Sequence, residues 1–385
     1  MQRAAWTGRP PWAASVGIVT GALLALAPGC GATPAPLADD AARGDGGRVD
    51  GGVADTGEAP DPDLRAAGDD AGPRLDASAD AREDTIPPLS DSGSDAEPVT
   101  CPNVVATKAG TVQTPLVGET SGLAASRTQP DLLWAHNDSG GAPEIYALSP
   151  NGAWRGTYRL VGAIVDDWED IAVGPGPTPG IDYVYVGDIG DNSVNRASVV
   201  VYRFPEPQVP TGSAPVTVDV TGVEAIKLVY PTTIVLPPPL PSFGGRNAES
   251  LFVDPVTADL FLVTKSGNGP EEVYRSPAPQ DLAQPRKLTK VATFTIGSPQ
   301  LPSKVDSASA ADISPSGDEI VVRTESTAFI WRRPAGTSVA AAFASVPCVF
   351  DLLSEPNGEA ITFDSNKVLF TLSEGGFQPI YRYQR

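Results

Sequence analysis

Five times between Ser121 and the end of the chain, one phrase recurs: three short runs of alternating apolar and β-branched residues, parted by tight turns rich in Gly, Pro, Asp and Asn. The clearest copy lies between Asp166 and Pro207, where EDIAV, DYVYVGD and SVVVYRF follow one another. First strands align at Ser121 (SGLAAS), Glu169 (EDIAVGP), Glu249 (ESLFVDP), Ser309 (SAADISP) and Glu359 (EAITFD), each opening on a small or acidic polar residue. Second strands read LLWAHNDSGG, YVYVGDIGDN, LFLVTKSGNG, IVVRTESTA and VLFTLSEGG; third strands read EIYALSP, VVVYRFP, EVYRSP, AFIWRRP and PIYRY. Repeats of this kind, roughly 40 to 60 residues apart, are sheet units that bury their faces only by stacking on one another.

Fourth strands are weaker. RGTYRLV, VEAIKLVY, RKLTKVATF and SVAAAFA follow the first four modules, while the fifth stops at its third strand. Residues 104–116 are expected to supply the missing strand, joining both ends of the domain in one blade and removing open edges. The fold is therefore expected to be all-β, a five-bladed β-propeller closed by an N-terminal strand. Six blades follow only if the Pro-rich segment from Pro231 to Arg246 hides a degenerate module. Tyr146, Tyr202, Tyr274, Trp331 and Tyr381, one in each third strand, are expected to pack between blades.

Two segments precede this domain. Residues 1–30 carry Arg3, Arg9 and the apolar run AASVGIVTGALLALAP, the layout of a targeting segment too short to span as a flanked helix. It ends at Ala27-Pro28-Gly29-Cys30, which resembles a bacterial lipobox with Cys30 as the acylated residue. The alternative is an ordinary secretory signal with an incidental cysteine. Residues 31–100 hold 17 acidic and 5 basic residues and lack Phe, Trp, Tyr and Lys. Such a stretch cannot bury enough apolar surface to offset its ordering entropy, and it is expected to be a disordered, extended tether. These readings place residues 101–385 outside the cytoplasm, on a bacterial outer-membrane lipoprotein or, alternatively, a secreted protein. The only membrane contact expected is the lipid at Cys30.

Setting aside −12 from the tether and +2 from the signal, the chain's net −20 leaves −10 over residues 101–385. An acidic surface argues against nucleic acid and anionic lipid, and leaves cations and small-molecule or protein ligands open. The domain is expected to be a monomer. With Cys30 lipidated, Cys101 and Cys348 remain as an even pair in a secreted chain, either a disulfide or two buried thiols.

Propeller geometry puts the start of each inner strand at the same end as the turn between second and third strands. Glu169, Asp170, Glu249 and Glu359 are thus expected to share one rim with His136, Asn137, Asp138, Asp188, Asp191, Asn192, Lys265, Arg323 and Glu374. GDIGDN, with Asp188, Asp191 and Asn192, reads either as an oxygen-rich Ca²⁺ site together with Glu169 and Asp170 or as a turn capped by its own Asp and Asn side chains. His136 is the only histidine, so a His-dependent general base must be this residue; Asp138 and Glu169 are the other candidates for acid–base work. HNDSGG is also an ordinary turn sequence. The ring Glu169, Glu249 and Glu359, completed by Ser121 and Ser309, can hold a cation, serve as an acid–base pair, or lock neighbouring blades through backbone N–H groups. Lys265 and Arg323 either bind an anionic ligand or pair with these acids.

At SGLAAS…LWAHNDSGG, DWEDIAVGP, VYVGDIGDN and ADISPSGDEIVVRTE the chain resembles a group of secreted bacterial propellers, most of unassigned activity. More distantly it is similar to phytase-like and esterase-like propellers that use calcium and an axial cleft. That resemblance implies cation roles for Asp188, Asp191 and Asn192 and substrate-phosphate roles for Lys265 and Arg323. Two functions remain: an envelope-tethered propeller binding a ligand or protein at its polar rim with Ca²⁺, or a calcium-dependent hydrolase acting there.

Overall fold

The alternation of apolar and polar residues in each module folds into antiparallel strands running outward from a common axis. In the computed structural model the described residues are 99–385, apart from 213, 235–243, 268, 299–300 and 303–306. The signal segment with Cys30 and most of the acidic tether lie outside the described residues. The first blade comprises Thr120–Ala125, Leu133–Asn137, Glu144–Leu148 and Trp154–Leu160. Trp168–Pro175, Asp182–Asp188, Val199–Pro205 and Glu224–Val229 form the second. The third contains Ala248–Val253, Leu260–Thr264, Glu271–Ser276 and Thr289–Phe294. Ala310–Ile313, Glu319–Arg323, Thr327–Arg332 and Cys348–Asp351 make the fourth. The fifth takes Gly358–Phe363, Leu369–Ser373 and Pro379–Gln384 from the end of the chain and Val105–Thr111 from the start of the domain. The ring is a five-bladed propeller, closed by the expected N-terminal strand.

Each inner strand contacts the next, and the fifth contacts the first, so the units circle one axis. Five hydrophobic clusters result, one for each blade–blade interface. The third-strand aromatics fall in them as expected: Tyr202 leans on Trp168, 6.1 Å between ring centres, and Trp331 packs on Phe343 and Phe294 at 4.9 and 5.2 Å. Burying such side chains is the main favourable contribution, about 1.5–3 kcal/mol each relative to exposure.

Two of the expected fourth strands are corrected. SVAAAFA is a short helix, Val339–Phe343, because its alanines favour helix and the Ser338 side chain caps it by accepting the Ala341 N–H at 3.1 Å. Phe343 stacks on Phe294 at 5.4 Å, so the helix covers the outer strand of the third blade. The fourth blade's outer strand is instead Cys348–Asp351. RKLTKVATF splits, with Arg286–Lys287 pairing parallel to the second blade and Thr289–Phe294 completing the third. Three blades thereby gain a parallel fifth strand: Val216–Val220, Arg286–Lys287 and Val99–Thr100. Cys101 and Cys348 form a disulfide that fastens Val99–Thr100 to the fourth blade.

Candidate functional site

One irregularity repeats around the ring and aims the polar side chains. In the first, second, third and fifth blades, the inner strand carries an extra residue where it begins to pair with the second strand. The residues left out of register are Ser121, Glu169, Glu249 and Glu359. A bulge of this kind bends a strand and re-aims one side chain. Here it falls at the start of the inner strand in each of the four blades, while Ser309 of the fourth blade is not bulged.

The residue two places before each bulged glutamate decides what surrounds it. In the third blade Asn247 donates its amide to Glu249 at 3.1 Å, and in the fifth Asn357 donates to Glu359 at 3.2 Å. In the second blade this place belongs to Asp167, which has no proton to donate when ionised. Beside it stands Asp138, the first residue after the Leu133–Asn137 strand. Oxygens of Asp138, Asp167 and Glu169 all lie within 4.8 Å of one another. Ca²⁺ binds oxygens at about 2.3–2.6 Å, so two ligands on opposite sides of one ion are about 4.6–5.2 Å apart, which this triad matches. Gly190 closes the floor; a Cβ there would collide with Glu169 Oε1 and Asp167 Oδ2.

Burial first, and then crowding by neighbouring acids, raises every acid of the triad. Burial, then Glu249, Asp138 and Asp167, push Glu169 far above the usual carboxylate range. Asp167 is raised to about 6, by burial first and by Asp138 next, against the pull of Arg196. Asp138 is raised too, by burial and then by Glu249, Glu374 and Glu119 against a backbone hydrogen bond from Ser139. Across the axis Glu359 rises to about 8 through burial and then Glu374. Lys265 reaches into this acid field, 3.2 Å from Glu249 Oε2.

The structure places the other candidates differently. His136 is fully buried in its strand, its Nδ1 2.8 Å from the Asn137 carbonyl and its ring edge-on to Trp168 at 5.7 Å. Burial drops it to about 4, so it is neutral near pH 7. Asn137 spends its side chain on Gly118 and Glu119 N–H groups and the Leu116 carbonyl. Asp170 is fully buried and accepts the N–H groups of Ile171 and Leu251, both at 2.8 Å, so it joins the second blade to the third. The lock between blades weighed for the glutamates therefore belongs to Asp170, and likewise to Asp312, which accepts Phe363 N–H at 2.8 Å. Arg323 is fully buried against Glu355 at 2.7 Å and meets no outside ligand. Asp188 pairs with Arg196 at 2.8 Å and accepts the Asp167 N–H at 3.1 Å, and Asp191 accepts the N–H groups of Asn195 and Arg196, so both acids are engaged by donors of the protein outside GDIGDN. Asn192 receives the Asn247 amide at 3.2 Å and faces a polar hollow of about 270 Å³ that Asp167, Ser139 and Arg196 also line.

Asp167 and Arg196 are the residues sequence reasoning missed. The signal for Asp167 is the triplet itself: Asn-Ala-Glu at Asn247 and Asn-Gly-Glu at Asn357 against Asp-Trp-Glu at Asp167.

No protein-family model matches the chain, and no curated protein matches it. Among solved structures the chain is similar to the soluble aldose sugar dehydrogenase of Escherichia coli in its apo form, at 9% identity with a TM-score of 0.40. The match covers 73% of this chain and 99% of that one. At that level nothing about the chemistry of this site follows from the likeness.

Proposed function

We propose that this protein is an envelope-anchored, extracytoplasmic propeller that binds Ca²⁺ at one end of its ring and presents a ligand or partner protein with that loaded face. The observation that carries the reading is the substitution, in the second blade alone of the three glutamate-bearing blades, of a carboxylate for the locking amide. Asp167 turns a neutral bracket into a triad with Asp138 and Glu169. Three crowded acids are unfavourable without a counter-ion, and a divalent cation removes that cost. Remaining coordination positions would come from water or from a ligand in the adjoining hollow. The Cys101–Cys348 disulfide supports an oxidising compartment, where free calcium is plentiful.

Calorimetric titration of the protein with CaCl₂, alongside thermal melting in Ca²⁺ or EDTA, tests this. Binding in the range of about 0.1–1 mM, typical of extracellular modules, and a melting temperature that EDTA lowers are expected. Asp167→Asn should lose both. No heat and no melting shift at millimolar Ca²⁺ would overturn the cation role.

A calcium-dependent hydrolase at the same end is the second reading, favoured by Asp167, a half-buried acid raised to about 6 beside an open hollow. The phosphate roles implied for Lys265 and Arg323 find little support, because both are engaged by carboxylates. Turnover of ester or phosphoester substrates, lost in Asp167→Asn, would favour this reading over a binder.

A further inference from the structure

The first residue after the second strand holds the same place in four blades. Asp138, Ile189, Lys265 and Glu374 each donate their backbone N–H to the residue two before the bulge: Glu119, Asp167, Asn247 and Asn357, at 2.8, 3.1, 3.0 and 2.9 Å. Two of these four side chains are acids, one is apolar, and one is Lys265. Its ammonium lies 3.2 Å from Glu249, the residue whose charge acts most strongly on Glu169 of the triad. Burial works against its charge, but Glu249, and then Glu359 and Glu169, hold it above its usual value. A lysine therefore stands in the acid ring as a cation on a four-carbon tether, about one-third exposed.

We propose that Lys265 is a built-in competitor for the bound cation: its ammonium neutralises the mouth when the site is empty, and it weakens cation binding when the site fills. This rests on the cation reading above and adds what sets the affinity. A tethered charge cannot diffuse away, so its repulsion of an incoming divalent ion persists unless the side chain swings out. Gly267, two residues after it, sits at φ +70, and the lysine side chain is partly open to solvent. The consequence is a raised threshold: the site responds to calcium at concentrations found outside the cell and stays closed at lower ones.

The experiment is calcium titration of the full folded protein by calorimetry, in wild type and in Lys265→Met, Lys265→Arg and Lys290→Met. Lys290 pairs with Glu272 at 3.0 Å and controls for net charge. Removing one like charge near a divalent ion in a partly wet mouth should tighten calcium binding about tenfold in Lys265→Met. Lys265→Arg should stay near wild type, and Lys290→Met should not change. The calcium-free melting temperature of Lys265→Met should fall while its gain on adding calcium grows, a pair of changes that a purely structural lysine would not give. Unchanged or weakened calcium binding in Lys265→Met overturns the proposal while leaving the cation site standing. Calcium binding in Lys265→Met but not in wild type overturns the cation reading for the native protein, and this inference with it. If neither binds, the cation reading itself falls, and this inference with it.

Discussion

Glu169 and Glu249 occupy the same bulge in adjacent blades, and the charge of Glu249 is the largest of those that, after burial, raise Glu169. Glu374 acts on Glu359 in the same way within the fifth blade. Carboxyls raised in this way hold protons that ordinary acids lose, so the stability of the calcium-free fold must depend on pH.

Glu359 sets where. Its pKa is about 8 in the folded protein and near the ordinary carboxylate value, about 4.3, in the unfolded chain. Between those values the folded state holds a proton that the unfolded state has lost, so stability falls as pH rises through the window. His136 shifts the other way, so its effect is confined to pH below about 6.5, where stability falls as pH falls toward 4. From pH 6.5 to 9 in EDTA, the melting temperature should thus decline. Glu359→Gln should lessen that decline below about pH 8, while Glu169, raised far above the usual range, keeps part of it. A flat wild-type profile over this range would contradict the raised carboxyls.

Asp170 contributes differently. Its two carboxylate oxygens are taken by the N–H groups of Ile171 and Leu251, and Ala311 N–H of the fourth blade lies 3.5 Å from the second oxygen. Asp170→Ala leaves these buried donors without a partner, at about 1–3 kcal/mol each. Urea denaturation should show a loss of about 3 kcal/mol or more, with Asp170→Asn losing less because one oxygen survives. Calcium affinity of whatever remains folded should be little changed, since both Asp170 oxygens are engaged by backbone N–H groups and Asp170 is not one of the triad.

The Cys101–Cys348 bridge ties residues 247 apart in sequence, and the ring-closing strand Val105–Thr111 begins just beyond it. Cys101 also donates its N–H to Val349 at 3.0 Å. Replacing both cysteines with serine should destabilise the domain by about 3–5 kcal/mol, measured by chemical denaturation. Reduction of the wild type should match the double variant; a smaller effect would mean that strand pairing alone secures the closure.

The ring was legible in the sequence because period-2 patterning, turn residues and third-strand aromatics agree in every module. Its polar end was legible only in outline. Glu169 and Asp170 are neighbours, and alternation alone does not say which faces the axis and which reaches into the next blade; the bulge decides, and a bulge is a property of two paired strands. His136 looked like part of a turn because HNDSGG is turn-like, yet the strand continues to Asn137 and carries the imidazole inside. Arg323 became buried because Glu355, in a loop with no motif, supplies its counter-charge. SVAAAFA lacked alternation, and its Ser cap before an alanine run was the sign of a helix.

Asp167 offers the sharpest separation of stability from function. Asn247 and Asn357 show what an amide does in its place: it donates to the glutamate two residues on, and in Asn357 also to Glu374. Asp167→Asn should therefore supply Glu169 with a donor, remove one of three crowded acids and raise the calcium-free melting temperature by a few degrees. The same change removes a ligand from the triad, so the calcium-dependent gain should vanish. Gly190→Ala is the steric counterpart. Gly190 does not adopt a left-handed conformation, so alanine is acceptable to the backbone, but its Cβ would press on Glu169 and Asp167 and spread the triad. It should lose calcium binding without the stability gain. If Asp167→Asn melts no higher than wild type in EDTA, the acid at this position is not a cost the fold carries for binding, and the triad loses its claim as the functional end of the ring.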